Sequence, residues 1–186
     1  LQTNGSIQNR LVVHDDGTIS AAWTMSSELN YSWADRGTGY NFFNGSSWLP
    51  QPNVRLENSR TGWPSIITLG NGGERVITHS TQNSVLNQCS RSSIGTGTWT
   101  DNMIGESYLI WNRSATGGLD GNTIHTIALT EPTGGTWTGT LWQGLNGALL
   151  YFRSQDGGST WDIQNMQLPE MDTAYFLGFS ADNYAI

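Results

Sequence analysis

The sequence predicts an all-β protein built from repeated antiparallel sheets of about four short strands each. Three observations predict this class: the composition, a strand–turn–strand pattern that returns along the chain, and a Trp that closes each repeat. Only 12% of the 186 residues are charged, while Gly numbers 23 and Trp 9. Few charges with many turn formers and aromatic residues suit short strands joined by tight turns. A chain of this length can form one domain with a sizeable core.

The first repeat unit begins with two strand-like runs separated by the turn signal Asp15-Asp16-Gly17. A long polar and aromatic loop over residues 25–39 then leads to a third run, which a Gly- and Ser-rich turn connects to Trp48. The predicted strands of this unit are residues 11–14, 18–24 and 40–43.

The same order of strands and turns returns twice, and the two later units end on Trp99 and Trp161. The predicted strands are residues 64–69, 75–79 and 85–91 in the second unit, and 109–116, 123–130 and 148–153 in the third. Residues 131–146 are expected to form a loop within the third unit. Residues 176–186 resemble the opening of a fourth unit.

The closing residues Trp48, Trp99 and Trp161 are 51 and 62 residues apart, which is the period of a propeller blade. We therefore expect a β-propeller of four-stranded antiparallel blades, with three blades and the start of a fourth in this chain. The expected bounds are 10–58, 59–108 and 109–172 for the blades and 173–186 for the start of the next.

A closed ring needs about four to eight blades, which is more than this sequence supplies. We expect the chain to be a piece of a longer protein whose remaining residues complete the ring, because the pattern stops midway at Ile186. Leu1 likewise resembles the start of a processed or trimmed chain. The alternative is a ring that several chains complete together.

The turn that closes the third unit, Ser154 to Trp161, reads Ser-x-Asp-x-Gly-x-x-Trp. Asp156 can accept hydrogen bonds from backbone N–H groups of its own turn, and the glycines after it can adopt positive φ. Trp161 can then fold back as an apolar plug. This stretch resembles the Asp-box, or BNR repeat, of sialidases and other secreted β-propellers, and Ser154, Asp156, Gly158 and Trp161 carry the resemblance.

That resemblance implies a complete ring of about six or seven blades and a secreted or cell-surface location. Trp48 and Trp99 resemble degenerate Asp-boxes, which keep Gly, Ser or Thr and Trp but lack the Asp. Residues 62–67 (GWPSII) also resemble the opening of a sialidase blade, without its substrate-binding Arg. The amino-acid sequence of residues 35–40 and 60–64 resembles that of uncharacterised secreted propellers of Bacteroidetes-type bacteria.

The charge and the apolar runs exclude several partners. A formal net charge of −7 argues against nucleic acid and against anionic membranes. The longest apolar run, residues 148–152, is too short to span a bilayer. Cys89 is the single cysteine, so it forms no internal disulfide and is expected to be a small buried apolar residue.

Aromatic and arginine side chains are expected to gather on one face of the blades, because antiparallel strands alternate direction and sort their loops onto two faces. Trp rings pack against apolar sugar surfaces and Arg binds carboxylates bidentately, so the set suits sugars or carboxylate-bearing glycans. In the alternative, the Trp residues fill gaps between blades and the Arg residues pair with acids. The candidate ligand-binding residues are Tyr31, Trp33, Arg36, Arg60, Trp63, Trp111, Arg113, Trp137 and Trp142.

The sequence therefore predicts a non-catalytic extracellular or cell-surface module for recognition, with a glycan or another extracellular protein as partner, or for architecture. One alternative is a sialidase-like glycoside hydrolase, in which Arg36, Arg60 and Arg113 would bind a substrate carboxylate, Asp35 would be the acid and Tyr31 the nucleophile. Another is a structural subunit of an extracellular assembly. No catalytic residue is assigned.

No cofactor or metal site is predicted. The turns at residues 15–17 and 119–122 offer oxygen ligands suited to Ca²⁺, but Asp-Gly pairs are typical of plain turns. The three histidines, His14, His79 and His125, fall in different units without metal-ligand spacing and are read as ordinary strand residues. Four Asn-x-Ser sequons occur, at Asn4, Asn30, Asn44 and Asn112.

Overall fold

The computed structural model describes residues 9–80, 85–106, 108–179 and 184–186. Within these ranges the chain is all-β, with antiparallel sheets and no helix. Three main sheets follow one another along the chain, and each is built from strands that are consecutive in sequence apart from one inserted hairpin. The predicted all-β class is confirmed.

The first sheet has three strands rather than the expected four, in the order β1-β2-β3. They are β1 (Leu11–Val13), β2 (Ile19–Met25) and β3 (Gly37–Phe43). After the turn, Trp48 forms an isolated bridge with Phe43, and the Leu49 N–H donates to the Phe42 carbonyl at 2.9 Å. Pro50 and Pro52 follow, and because proline has no N–H to donate to a ladder, pairing stops there.

The second sheet has four strands in chain order. They are β4 (Thr61–Thr68), β5 (Glu74–Ser80), β6 (Leu86–Arg91) and β7 (Thr100–Ile104). Apolar and β-branched residues such as Ile66, Val76 and Ile77 fill β4 and β5, as expected for strands buried on both faces. Trp99 directly precedes the last strand.

The third sheet repeats this plan, with Trp161 two residues before its last strand. Its strands are β8 (Leu109–Gly117), β9 (Thr123–Thr130), β12 (Leu149–Ser154) and β13 (Ile163–Gln167). The segment expected to be a loop contains a small hairpin, β10 (Thr133–Gly134) with β11 (Trp137–Thr138). Gly134 pairs with Trp137, so the two residues of the turn are Gly135, which has positive φ, and Thr136.

The core lies in the gaps between successive sheets. Tyr40 of the first sheet packs with Ile66, Val76 and Cys89 of the second. Leu86 of the second sheet belongs to a cluster with Leu109, Ala128, Leu150 and Phe152 of the third. Cys89 is buried as expected, and burial raises the pKa of its thiol.

Each of the two later closing residues packs against the sheet that precedes its own. Trp99 meets Tyr40 of the first sheet edge-on, with ring centroids 5.3 Å apart. Trp161 packs against Ile67, Leu69 and Ile77 of the second sheet. Trp99 and Trp161 therefore hold equivalent places in the second and third sheets.

The two ends of this stack of sheets differ. On the first sheet, Leu11 is 62% exposed, Val13 70% and Trp48 47%. The outer face of the third sheet is covered, because Met171, Phe179 and Tyr184 pack on the cluster of Ile110, Leu129 and Leu149. The described residues 176–179 and 184–186, expected to open a fourth unit, form no strand there, and residues 180–183 lie outside the described ranges.

The turn from Ser154 to Trp161 is held by its own side chains together with side chains of the second sheet. The Ser154 Oγ accepts from the Gly158 N–H at 2.7 Å. Asp156 accepts from the Thr160 N–H at 2.8 Å and from the Thr160 hydroxyl at 2.7 Å. Gly157 and Gly158 have φ of 69° and 87°, which glycine adopts without a steric penalty.

Candidate functional site

A cleft of about 530 Å³ lies beside the first and second sheets, a volume typical of small-molecule sites. Four of the nine residues predicted to bind a ligand line it together: Tyr31, Trp33, Arg36 and Trp63. The other lining residues are Trp23, Thr24, Met25, Ser26, Glu28, Leu29, Asn30 and Gln51.

Local hydrogen bonds shape the β2–β3 loop that forms one wall of the cleft. The Asn30 side-chain oxygen accepts from the N–H groups of Ser32 at 2.9 Å and Trp33 at 3.1 Å. The Glu28 carboxylate accepts from the Ala34 N–H at 2.8 Å. Such bonds from a side chain to nearby backbone define Asx-type turns, so the aromatic side chains of this loop have a fixed support.

Arg60 supports the same loop from the other side. Its Nε donates to the Trp33 carbonyl and its Nη2 to the Ser32 carbonyl, both at 3.0 Å. Arg60 does not line the cleft. Its role in the structure is therefore to position the loop that carries Trp33, rather than to face a ligand directly.

Arg36 is the cation of the cleft. Its Nε donates to the Thr61 carbonyl at 3.0 Å, and its guanidinium lies 5.0 Å from the centre of the Trp63 ring. Burial, and then the charge of Arg60, lower the pKa of Arg36 to about 10, so the group stays protonated near neutral pH. No carboxylate of the described residues forms an ion pair with it. Its charge can therefore serve a carboxylate or hydroxyl of a ligand.

Trp63 sits at an irregularity of the first strand of its sheet. The register of β4 with β5 shifts between Gly62 and Ser65, and Trp63 has a φ of 53°. Positive φ is uncommon for a bulky residue and costs on the order of 1–3 kcal/mol. Bulges re-aim side chains and cluster near binding sites, so this backbone is typical of a functional position.

Trp111 occupies the equivalent place in the third sheet. It is the third residue of β8, as Trp63 is of β4, and the register of β8 with β9 shifts between Ile110 and Arg113. Its φ is 51°. The indole meets Trp137 of the inserted hairpin edge-on at 5.2 Å. Two of the remaining predicted residues are therefore brought together, outside the cleft itself.

His79 joins the two irregular strands. Its ring stacks on Trp63 with centroids 4.8 Å apart, and its Nδ1 accepts from the Trp111 N–H at 3.1 Å. Since Nδ1 is an acceptor, the proton of the neutral ring is on Nε2. Burial, and then the charge of Arg36, lower the pKa of His79 to about 3, so the ring is neutral at physiological pH.

The last two predicted residues are structural. Arg113 is fully buried, its Nε donates to the Tyr184 carbonyl at 3.2 Å, and its guanidinium lies 4.8 Å from the Tyr184 ring centre. Trp142 packs against the cluster that contains Leu145 and Leu150. Neither Arg113 nor Arg60 lines the cleft that contains Arg36, so the three arginines do not line one site.

The candidate acid Asp35 does not line the cleft, whereas Glu28 does, and the Glu28 carboxylate accepts from the Asn30 side-chain amide at 3.1 Å. The Asp35 carboxylate accepts from the Ser26 and Ser27 hydroxyls and from the Ser27 N–H, and these bonds lower its pKa. A general acid needs the opposite shift. Tyr31 is 95% exposed, and no described carboxylate hydrogen-bonds its hydroxyl.

The predicted turns use their acidic side chains internally. Asp16 accepts from the Thr18 N–H at 2.9 Å, and Asp120 from the Asn122 N–H at 3.0 Å. Across the described ranges, no group of three or more His, Cys, Asp or Glu side chains could hold a metal ion.

Two further sequence features can be placed in the structure. Asn112, one of the four sequon residues, is buried and donates to the Ile77 carbonyl at 2.8 Å, so it is not accessible to a glycosylating enzyme in the folded protein. No helix that could cross a membrane occurs in the part of the chain that the structure describes.

The sequence reasoning missed several cleft residues, chiefly Trp23, Met25 and Gln51. A signal for two of them exists: Trp23 and Met25 are two apart on β2, so they share one face of the sheet. His79 was read as an ordinary strand residue, and nothing in its own segment shows that it contacts two Trp residues from other strands.

Comparison with protein-family models finds no family that matches the chain. Comparison with curated proteins finds no similar sequence.

Proposed function

We propose that this chain is part of an Asp-box β-propeller of the sialidase-like kind. The repeated plan of its sheets supports the proposal, since the turn between the third and fourth strand positions carries a Trp in each of them. Packing of Trp99 and Trp161 on the preceding sheet is what adjacent blades require. The four-stranded second and third sheets are blades in this reading, and the first is a blade with a truncated outer strand.

The role we propose is recognition of a glycan by a secreted or cell-surface module. The single observation that carries it is the convergence of Tyr31, Trp33, Arg36 and Trp63 on one cleft of about 530 Å³. Aromatic faces with one available cation are the groups that bind the apolar faces and the acidic or hydroxyl groups of sugars. The supported loop and the strained Trp63 indicate a preorganised site.

A glycoside hydrolase is less well supported by the same geometry. The acid candidate Asp35 has a lowered pKa, and Arg113 is buried away from the cleft. Glycoside hydrolysis requires an acid with a raised pKa opposite a second carboxylate or equivalent nucleophile. The cleft therefore favours binding without turnover.

A glycan array probed with the purified chain tests the proposal. Saturable binding should be lost in Trp33→Ala and Arg36→Gln and weakened in Tyr31→Ala. Tyr175→Ala is the matched control, because Tyr175 is also an exposed tyrosine but lies outside the cleft. An array without specific binding, or equal binding by the cleft variants and the control, contradicts glycan recognition. Release of fluorophore from a fluorogenic sialoside would instead support the hydrolase.

A second candidate role, a structural unit of an extracellular assembly, is favoured by the open end of the stack. Trp48 is 47% exposed, whereas Trp99 and Trp161 are packed against a preceding sheet. Leu11 and Val13 extend this apolar surface. We propose that another antiparallel sheet, from the same longer chain or from another chain, covers it. Protection of Leu11 to Val13 in hydrogen exchange of the native assembly, relative to this isolated chain, is the expected result.

A further inference from the structure

We propose that the ligand-binding surface extends beyond the cleft to a second aromatic platform, formed by Trp111 and Trp137, and that the ligand is a linear oligosaccharide of several sugars. The inference rests on the proposed glycan recognition and adds the length and the class of the ligand. It concerns residues outside the cleft, since neither Trp111 nor Trp137 lines it.

The repeat supplies the first argument. Trp63 and Trp111 are the third residues of the first strands of neighbouring sheets, with φ of 53° and 51° at equivalent register shifts. A strained backbone at one position can be incidental, but the same strain at the same position of two repeats points to a shared role. The Trp63 side chain lines the cleft, so its counterpart marks a related subsite.

The second argument is continuity. His79 stacks on Trp63 and accepts the Trp111 N–H, and Trp111 in turn meets Trp137 edge-on. The four residues form one connected row from the cleft to the inserted hairpin. Because His79 is buried between the two irregular strands, it holds Trp63 and Trp111 at a fixed separation.

The third argument is exposure. Trp137 is 40% exposed on β11, and Trp111 is only partly buried. Aromatic rings that remain accessible at the end of a connected row can stack on sugar faces. The hairpin that carries Trp137 is itself supported, since the Glu131 carboxylate accepts from the Thr138 N–H at 3.1 Å.

The charge of the residues in the cleft and the row indicates which class of glycan they would bind. The linking histidine is uncharged, and Arg36 is the one cation among the residues of the cleft and the row. The chain as a whole carries a formal charge of −7, which disfavours a polyanion. A linear, largely neutral glycan with at most an acidic group at the Arg36 end fits these features.

The test measures affinity against ligand length. The probes are linear neutral glycans with glucose, xylose, mannose or N-acetylglucosamine backbones, each from disaccharide to hexasaccharide, titrated by calorimetry into the full chain. Affinity should rise by about tenfold or more between the disaccharide and the hexasaccharide, since each added stacking contact contributes up to about a factor of ten.

Substitution of the exposed platform residue separates the two sites. Trp137→Ala should lower the affinity for the hexasaccharide about tenfold and leave that for the disaccharide unchanged, while Trp137→Phe should retain most of it. Tyr175→Ala is the control for loss of an exposed aromatic. Binding that is independent of length, or equal losses for both probes in Trp137→Ala, overturns the inference but leaves glycan recognition intact. If no glycan of any length binds, both proposals fail.

Discussion

The turns that close the second and third sheets place a Trp at equivalent positions by different means. In the third sheet, Ser154 and Asp156 hold the turn through bonds to residues at most four positions away. In the second, the Gly95 N–H donates at 3.0 Å to Glu74, a residue of another strand. Glu74 is buried and forms an ion pair with Arg91. Arg91 is the last residue of β6, the position that Ser154 holds in β12 of the third sheet.

The second turn is therefore supported by tertiary contacts. The Arg91 guanidinium lies 4.3 Å from the centre of the Tyr40 ring and 4.4 Å from that of Trp99. Because Tyr40 belongs to the first sheet, the neighbouring sheet forms part of the surroundings of this ion pair. The third turn also receives bonds from the second sheet, since Arg75 donates to the Gly157 carbonyl at 2.7 Å and Gln88 to the Gly158 carbonyl at 3.0 Å. The comparison shows that one position of the repeat is preserved while a buried ion pair replaces the side-chain bonds within the turn.

Breaking the ion pair should have the largest effect. Glu74→Gln should lower the free energy of unfolding by about 3–5 kcal/mol, because Arg91 would remain buried without its counter-charge. Asp162→Asn, which removes the exposed partner of Arg153, is the control and should change stability little. Urea unfolding followed by Trp fluorescence measures both. Similar losses in the two variants would show that the second turn does not depend on the buried pair.

Substitution of the closing Trp residues should lower the free energy of unfolding by different amounts, according to what covers each side chain. Trp161→Ala should destabilise the chain by about 2–4 kcal/mol, because it leaves a cavity between the second and third sheets. Trp48→Ala should cost less than about 1 kcal/mol in this chain, since Trp48 is 47% exposed and no sheet of the described residues covers its outer side. Thermal unfolding compares them. A large loss in Trp48→Ala would contradict the open end of the stack.

The stability that the turn from Ser154 to Trp161 contributes should fall at acid pH. Burial alone would raise the pKa of Asp156, but the hydrogen bonds from Thr160 and Ser154 outweigh it, and the folded-state pKa is lowered. The stabilisation by the carboxylate is therefore present above the unfolded value of about 3.9 and is lost as pH falls through the folded value.

In Asp156→Asn, the difference in stability between pH 5 and pH 2 should be smaller than in the wild type. At pH 7 the variant should be less stable by about 1 kcal/mol. Urea unfolding at several pH values checks both statements. Parallel curves for the two proteins would mean that the carboxylate does not support the turn in its charged form.

The smallest effect of pH is expected at His79, whose ring contacts both Trp63 and Trp111. Since its pKa is lowered to about 3, its ring should stay neutral between pH 5 and 8, with the proton on Nε2. Nitrogen chemical shifts of the His79 ring, recorded by NMR across that range, should not move. A titration with a midpoint in this range would show that the ring is solvated and that the link between Trp63 and Trp111 is not formed.

The sequence predicted the parts of the molecule that local chemistry determines. The turn at Ser154 to Trp161 has hydrogen bonds between residues at most four positions apart, and the strand at Thr123–Thr130 is a run of apolar and β-branched residues, so spacing and composition reveal them. The fourth strand expected in the first sheet is absent because Pro50 and Pro52 end pairing. Two prolines so close together are a signal in the sequence itself that a ladder ends there.

The parts that depend on pairing between distant strands could not be predicted. Trp23 reaches the cleft over Gly39, which lies opposite it in the register of β2 with β3, and a Cβ at Gly39 would lie 2.6 Å from the indole. Arg113 looked like a surface cation, but Tyr184, 71 positions later, covers it. Such contacts become visible only when the sheets are stacked.

The direction in which the closing residues point has a consequence for biosynthesis. Trp99 and Trp161 both pack onto a sheet that lies earlier in the chain. A ribosome releases that earlier sheet first, so each new unit emerges with its docking surface already made. The sheets can therefore fold one after another from the N-terminal side during synthesis. Burial of Trp99 and Trp161 does not require a sheet that is synthesised later.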